Sequence, residues 1–226
     1  MSRRTWPIAR RDALPPALVG VPLLATGRRS GWIGVGLAAA ALGFFRDPER
    51  SSPQDRSLVL AASDGFVTAV EHDMPEPGLP GGRATRVTVF LSLHDVHVNR
   101  SPVQGRITGM ERLGQGFAPA LLRGAQDNRR NRLALDGPAG PVVVVQVAGA
   151  LARTISNWVR VGDRVEAGER LGLIHFGSRT DVLLPVGAAD VLVSRGSRVR
   201  AGVTPLARLR SSDPAGASRD PGCATT

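Results

Sequence analysis

Val161-Gly162-Asp163-Arg164-Val165-Glu166-Ala167-Gly168 returns later in the chain as Arg195-Gly196-Ser197-Arg198-Val199-Arg200-Ala201-Gly202. A second echo links Asp64-Gly65-Phe66-Val67-Thr68-Ala69-Val70-Glu71 with Gln104-Gly105-Arg106-Ile107-Thr108-Gly109-Met110-Glu111. In each, the glycines suit tight turns and the apolar residues suit short strands. Val87, Val89, Leu91 and Leu93 alternate with Thr88, Phe90 and Ser92, which is the period of two expected of a strand. Val142-Val143-Val144-Val145 reads as a buried strand. These patterns predict a mainly β fold: a compact β-sandwich or barrel built from related halves.

The Val161 echo is similar to the turn pattern of biotinyl/lipoyl-type barrels, so the halves are expected to be lipoyl-like. A carrier of biotin or lipoate is excluded, because the chain contains no acceptor lysine; all 29 of its basic side chains are arginine. The 27 Gly and 17 Pro fit short strands and turns. The length suits one domain with appendages. The expected boundaries are an N-terminal segment over 1–45, a folded domain over 46–210 and a disordered polar tail over 211–226. The single cysteine, Cys223, lies in that tail and excludes an internal disulfide and a cysteine-cluster zinc site.

The net charge of +10 favours anionic partners. No basic patch interleaved with aromatic residues supports nucleic acid as that partner; an anionic membrane surface fits better. Arg3, Arg4, Arg10 and Arg11 precede two apolar runs, Ala13–Thr26 and Gly31–Phe45, joined by Gly27-Arg28-Arg29-Ser30. Each run would make a helix of about 21 Å, short of the ~30 Å hydrocarbon core. Pro15 and Pro16 and the second run argue against a signal peptide. The expectation is an apolar helical hairpin that dips into the cytoplasmic leaflet, or two tilted short spans, with the arginines among lipid headgroups.

The missing lysine also bears on chemistry. Schiff-base enzymes normally load an electron-sink cofactor such as pyridoxal phosphate onto a lysine. A serine after a glycine offers another route, and Gly177-Ser178 lies within Leu173-Ile174-His175-Phe176-Gly177-Ser178-Arg179. Leu171, Leu173 and His175 share one strand face, and Asp181-Val182-Leu183-Leu184 resumes a strand, so the serine belongs at a strand-to-strand turn. Backbone cleavage there would leave a pyruvoyl group at position 178.

Several motifs, in order, carry a family resemblance. Phe44-Phe45-Arg46-Asp47-Pro48-Glu49-Arg50, Ser63-Asp64-Gly65 and Leu91-Ser92-Leu93-His94-Asp95-Val96-His97-Val98-Asn99-Arg100-Ser101-Pro102 resemble segments of the short-form phosphatidylserine decarboxylases. Asp127-Asn128-Arg129-Arg130-Asn131 and Ile174-His175-Phe176-Gly177-Ser178-Arg179-Thr180-Asp181 do so as well. The resemblance runs from about Trp6 to Leu209. It implies a precursor that cuts itself between Gly177 and Ser178 into a β chain (1–177) and an α chain (178–226), which stay together as a heterodimer. The pyruvoyl group from Ser178 would form a Schiff base with phosphatidylserine, release CO2 and give the ethanolamine phospholipid, with neither pyridoxal phosphate nor metal, on the cytoplasmic side of the cell membrane.

His97 is expected to be the base, with Asp64 orienting it as in triad logic. The motif of the long-form relatives has a second histidine where this chain carries Arg100, which cannot act as a base near neutral pH. Arg100 and Arg179 are candidates for the substrate's phosphate or carboxylate through forked hydrogen bonds. His94, His175 and His72 are set aside as ligands or bases. Two other readings stand beside this one: a non-catalytic, membrane-anchored lipoyl-like β-barrel adaptor, and a pyruvoyl decarboxylase of another amine substrate.

Overall fold

The computed structural model describes residues 4–116, 128–137, 140–149, 154–175 and 178–210. Gly177 and the tail 211–226 with Cys223 lie outside the described residues. Two helices, α1 (Trp6–Ala25) and α2 (Gly31–Phe44), precede the strands β1 (Leu58–Leu60), β2 (Gly65–Pro75), β3 (Arg83–Leu91), β4 (Val98–Arg100), β5 (Gly105–Leu113), β6 (Arg130–Gly137) and β7 (Gly140–Val147). The chain continues through β8 (Ile155–Asn157), β9 (Arg164–Val165), β10 (Arg170–Ile174), β11 (Ser178–Pro185), β12 (Ala189–Val191), β13 (Arg198–Val199) and β14 (Pro205–Leu209).

Eight strands form one curled antiparallel sheet in the order β13-β2-β3-β11-β7-β6-β5-β9, a half-barrel. Two three-stranded sheets, β1-β14-β12 and β4-β10-β8, supply the rest of the β structure. The large sheet reads the same from either end, because the sequence echoes occupy matching places. Gly65 pairs with Val199 at one edge and Gly105 with Val165 at the other. Gly196 N–H donates to Val67 and Gly162 N–H to Ile107, each at 2.8 Å. Leu60 N–H donates to Pro102 and Arg100 N–H to Ala62, again each at 2.8 Å, so the two halves exchange equivalent bonds where β1 and β4 cross. The curled half-barrel of related halves agrees with the expected mainly β sandwich or barrel.

The period of two decides which face each strand buries. Val87, Val89, Leu133, Leu135, Val142, Val144, Val182 and Leu184 join Val59, Leu171 and Leu206 of the small sheets in the main core. Their neighbours Val143, Val145, Leu183 and Ala84 belong to a smaller cluster under Leu79 on the other face of the sheet. Gly65 fixes one corner: its φ is +140°, and a Cβ there would lie 1.9 Å from the Phe90 carbonyl oxygen. Gly65→Ala is expected to cost about 4 kcal/mol or more, the range of severe backbone defects. Gly36→Ala, in α2 with open space around it, should be neutral or slightly stabilising. Urea melts of both variants test this; equal stability would remove the strain argument.

The N-terminal hairpin differs from its expected bounds. α1 starts earlier, at Trp6, and runs through Pro15, Pro16 and Pro22 without ending. Each proline forfeits a backbone bond, but packing against α2 holds the helix. Gly20, Gly31 and Gly34 bring the backbones together; a Cβ on Gly34 would lie 2.5 Å from the Pro16 carbonyl oxygen. No described helix is long and apolar enough to cross a membrane. The foot of the hairpin docks on the β body, where Ala9, Phe44 and Phe45 pack with Val96, Val98 and Leu173.

Candidate active site

Ser178 is the first residue of β11 and pairs with Leu91, the last of β3. Four residues upstream, Ile174 ends β10 and its N–H donates to the His97 carbonyl at 3.2 Å. Leu91 and His97, at the two ends of one turn, are therefore tied to Ser178 and Ile174 respectively. That topology brings the Ser178 and His97 segments into one neighbourhood.

Ser178 is fully buried, and its Oγ has no hydrogen-bond partner. Its side chain belongs to the face of Thr180, Val182 and Leu184, the core side of the sheet. His97 is also fully buried. Its Nδ1 lies 2.9 Å from the Asp95 carbonyl oxygen. A carbonyl can only accept, so Nδ1 carries the hydrogen and Nε2 keeps its lone pair. Nε2 is buried without a partner. Phe44 covers the ring, with centroids 4.3 Å apart. Burial pushes the imidazole down to about 4, against the opposing pull of the Asp95 carbonyl and carboxylate. At pH 7 the ring is a neutral base with one open site.

Asp95 braces this loop. Its Oδ2 accepts from Ser92 N–H at 2.9 Å and Ser92 Oγ at 2.6 Å, and its Oδ1 meets Arg198 at 2.9 Å. Asp64 does not orient the imidazole as expected. Its carboxylate is gripped by both Arg50 terminal nitrogens, at 2.5 and 2.8 Å, and by Ala201 N–H at 2.8 Å. The Asp95 carbonyl holds the ring instead, which a sequence reading of carboxylate partners overlooks.

The two arginines proposed for substrate are also placed otherwise. Arg100 is buried and donates to Gly168 and Pro48 carbonyls at 2.9 Å and to Asp47 at 3.3 Å. Arg170 completes that buried cluster, 2.7 Å from Asp47. Arg100 thus ties the Asp47-Pro48 segment to the β body. Arg179 alternates with Ser178 and lies on the opposite face of the sheet, 3.2 Å from Asp181. A cleft of about 720 Å³ opens there among Arg86, Arg130, Arg132, Arg179, Asp181 and Glu76; it includes neither Ser178 nor His97. Burial raises the Asp181 carboxyl above its usual range, opposed by Arg179.

A buried amide chain adjoins Ser178 and was not foreseen. Asn131 Nδ2 donates to Gln146 at 2.8 Å and to Asn157 at 3.0 Å. Gln146 Nε2 donates to Asn99 at 2.7 Å, and Asn99 Nδ2 reaches Thr180 Oγ1 at 3.5 Å. Thr180 lies two residues from Ser178 on the same face, and Asn99 lies two residues from His97. The chain therefore ties β4 to β11 beside both groups. Its one legible signal was Gln146, a polar residue inside the apolar run Val142–Val147.

The other histidines stand apart. His94 and His72 are exposed, and His175 contacts Ser156 Oγ at 3.3 Å. No cluster of metal-ligating side chains occurs among the described residues.

Comparisons with known proteins bear on the family. A family model described as phosphatidylserine decarboxylase matches residues 37–207. Three similar proteins carry the name phosphatidylserine decarboxylase proenzyme. The one from Ruegeria pomeroyi is 44% identical over 184 residues, 80% of this chain and 84% of its own. That from Azorhizobium caulinodans is 44% identical over 193 residues, 84% and 82% of the two chains. That from Mycolicibacterium gilvum is 41% identical over 214 residues, 92% of each. Matches of this depth and coverage, on a mainly β chain, establish that it belongs to the phosphatidylserine decarboxylase family.

Proposed function

We propose that this chain is a proenzyme that cuts itself at Gly177-Ser178 and then decarboxylates phosphatidylserine at a membrane surface. The observation that carries this reading is the pair of buried, unpartnered atoms Ser178 Oγ and His97 Nε2, on segments tied by the Leu91–Ser178 pairing and the Ile174–His97 bond. In self-cleavage, Ser178 Oγ passes its proton to a base and attacks the Gly177 carbonyl carbon. The amide C–N bond breaks as an ester C–O bond forms, and the nitrogen takes up a proton. Elimination then breaks the Ser178 Cβ–Oγ bond, releases the Gly177 carboxylate and leaves dehydroalanine. Its imine tautomer adds water and loses ammonia, which leaves a ketone at position 178. His97 Nε2, neutral and with its lone pair open, is the base this reading assigns.

A pyruvoyl group fits position 178, because the serine is buried at a strand start with an uncommitted hydroxyl, and because the chain has no lysine to carry another electron sink. Such a group supplies a carbonyl, conjugated with the adjacent amide, that accepts the electron pair freed when an amine substrate loses CO2. His97 Nε2 holds the proton that must return to the α-carbon. The enclosing core excludes water, which strengthens each polar contact there.

The hairpin is the proposed membrane contact. Leu18, Val19, Trp32, Ile33 and Leu37 are all more than half exposed, Arg10 and Arg11 lie near the start of α1, and Arg28 and Arg29 join the helices. Such a surface suits an anionic leaflet. Leu18→Glu combined with Leu37→Glu should abolish co-flotation with phosphatidylglycerol vesicles while self-cleavage continues; undiminished flotation would refute the contact.

The reading is tested by incubating purified protein with phosphatidylserine micelles. Two fragments on a denaturing gel, CO2 release and an ethanolamine lipid are expected. A single full-length band from a preparation that decarboxylates would overturn the self-cleavage mechanism. No cleavage and no product would favour the adaptor reading.

A further inference from the structure

A pocket of about 410 Å³ lies at the foot of the hairpin, between the Arg46–Arg50 segment, the His94-Asp95 turn and the β13 region with Arg198 and Arg200. Four arginines line it: Arg46, Arg50, Arg198 and Arg200. The lining carboxylates are already engaged. Asp64 is held by Arg50, Asp95 by Arg198 and Ser92, and Glu49 by Arg170 at 2.8 Å. Among the described residues, Arg46 bonds only carbonyl oxygens, those of Gly43 and His94. Arg200 is exposed, and its guanidinium has no partner among the described residues. Arg198 keeps three fifths of its side chain exposed and lies over the Phe66 ring at 4.7 Å. Two cations without carboxylates, Arg46 and Arg200, therefore face one concavity.

The position of this pocket suggests its ligand. Arg46 follows Phe44, which covers the His97 ring, by two residues. Asp95, whose carbonyl holds that ring, is on the pocket wall. The pocket thus abuts both elements that fix His97, and it sits where the apolar hairpin meets the polar body, the level of lipid headgroups. We infer that this pocket binds the phosphodiester of the substrate phospholipid, with Arg200 and Arg46 as its donors, and so directs the serine headgroup toward His97 and position 178. The inference rests on the proposed decarboxylation. It replaces Arg100 and Arg179, which the fold commits to Asp47 and to the opposite sheet face.

Guanidinium suits this task, since it offers forked donors and stays charged at any working pH. A hydrogen bond to a charged group is worth enough to change affinity about tenfold or more. Arg200→Gln should raise KM for phosphatidylserine about tenfold in neutral-detergent micelles, with kcat nearly unchanged. Arg200→Lys should recover part of the loss. Self-cleavage should proceed fully in both variants, because the Arg200 guanidinium bonds no described residue and its main-chain bonds to Val203 and Thr204 are kept. A serine ester lacking phosphate should be processed equally by wild type and variant. An unchanged KM in both Arg200→Gln and the double variant Arg46→Gln/Arg200→Gln would overturn the site. An effect seen only on phosphatidylglycerol vesicles, and absent in neutral micelles, would also overturn it and assign these arginines to general surface attraction. If wild type itself neither cuts nor decarboxylates, the proposed function fails instead, which the same gels and assays show separately.

Discussion

The Ser178→Ala variant is expected to remain one uncut chain of 23.8 kDa and to release no CO2 from phosphatidylserine. The hydroxyl is the atom that would attack the preceding carbonyl, and no neighbouring side chain on that face duplicates it. Thr180, the nearest hydroxyl along the strand, is directed to Asn99 and is two residues from the scissile bond. Folding should survive, because the lost Oγ makes no hydrogen bond and a methyl group suits a fully buried site. Urea melts should therefore place the variant within about 1 kcal/mol of the uncut wild-type precursor. Intact-mass measurement decides the case. Fragments 1–177 and 178–226 from Ser178→Ala would show that the hydroxyl is not the nucleophile, and decarboxylation by the uncut chain would end the pyruvoyl mechanism altogether.

Replacing His97 has the second-largest expected effect. His97→Ala removes the open Nε2 lone pair, and a general base of this kind contributes about 10²–10⁴-fold. Cleavage half-times on gels should lengthen by that factor; wild-type rates of both cleavage and turnover would discard the assignment. The same residue makes stability depend on pH. The folded imidazole titrates near 4 and the unfolded one near 6.5. Above 6.5 both states hold it neutral. As pH falls from 6.5 toward 4, the unfolded chain takes up a proton that the folded chain refuses, so stability falls. Below about 4 both states are protonated and the loss levels off. The shift corresponds to about 3 kcal/mol. Urea melts of the uncut Ser178→Ala chain at pH 7 and pH 4.5 should show this loss, and adding His97→Gln should remove that share of it. His175 is also lowered by burial, so the difference between the two variants isolates His97. Identical acid sensitivity would mean that the imidazole is hydrated in solution.

The site was readable to different depths. Ser178 and His97 stand in short motifs whose neighbours are local, and both are buried in one region of the fold. Asp64 sits in an equally legible motif, but its carboxylate met Arg50, a residue close in sequence whose reach depends on the packing of the Asp47-Pro48 segment. Arg179 offers forked hydrogen bonds to a phosphate or carboxylate, but as the strand neighbour of Ser178 it lies on the opposite face of the sheet. The amide chain from Asn131 to Thr180 draws on four strands and became visible only when these were superposed. The pocket at the hairpin foot likewise collects residues from the Arg46–Arg50 segment, the 92–97 turn and the β13 region.

By itself, the order of residues determined the strands and the two related halves, because turn glycines and period-two burial act over a few neighbours; it marked Ser178 as a candidate through the motif around it. The register of β11 beside β3 and β7, the partner of every buried charge and the open lone pair on His97 were decided only by the tertiary structure. The physical reason is that a polar atom deep in a core takes whichever complementary group the packing of distant strands leaves within reach, and that choice is made after the apolar faces have closed.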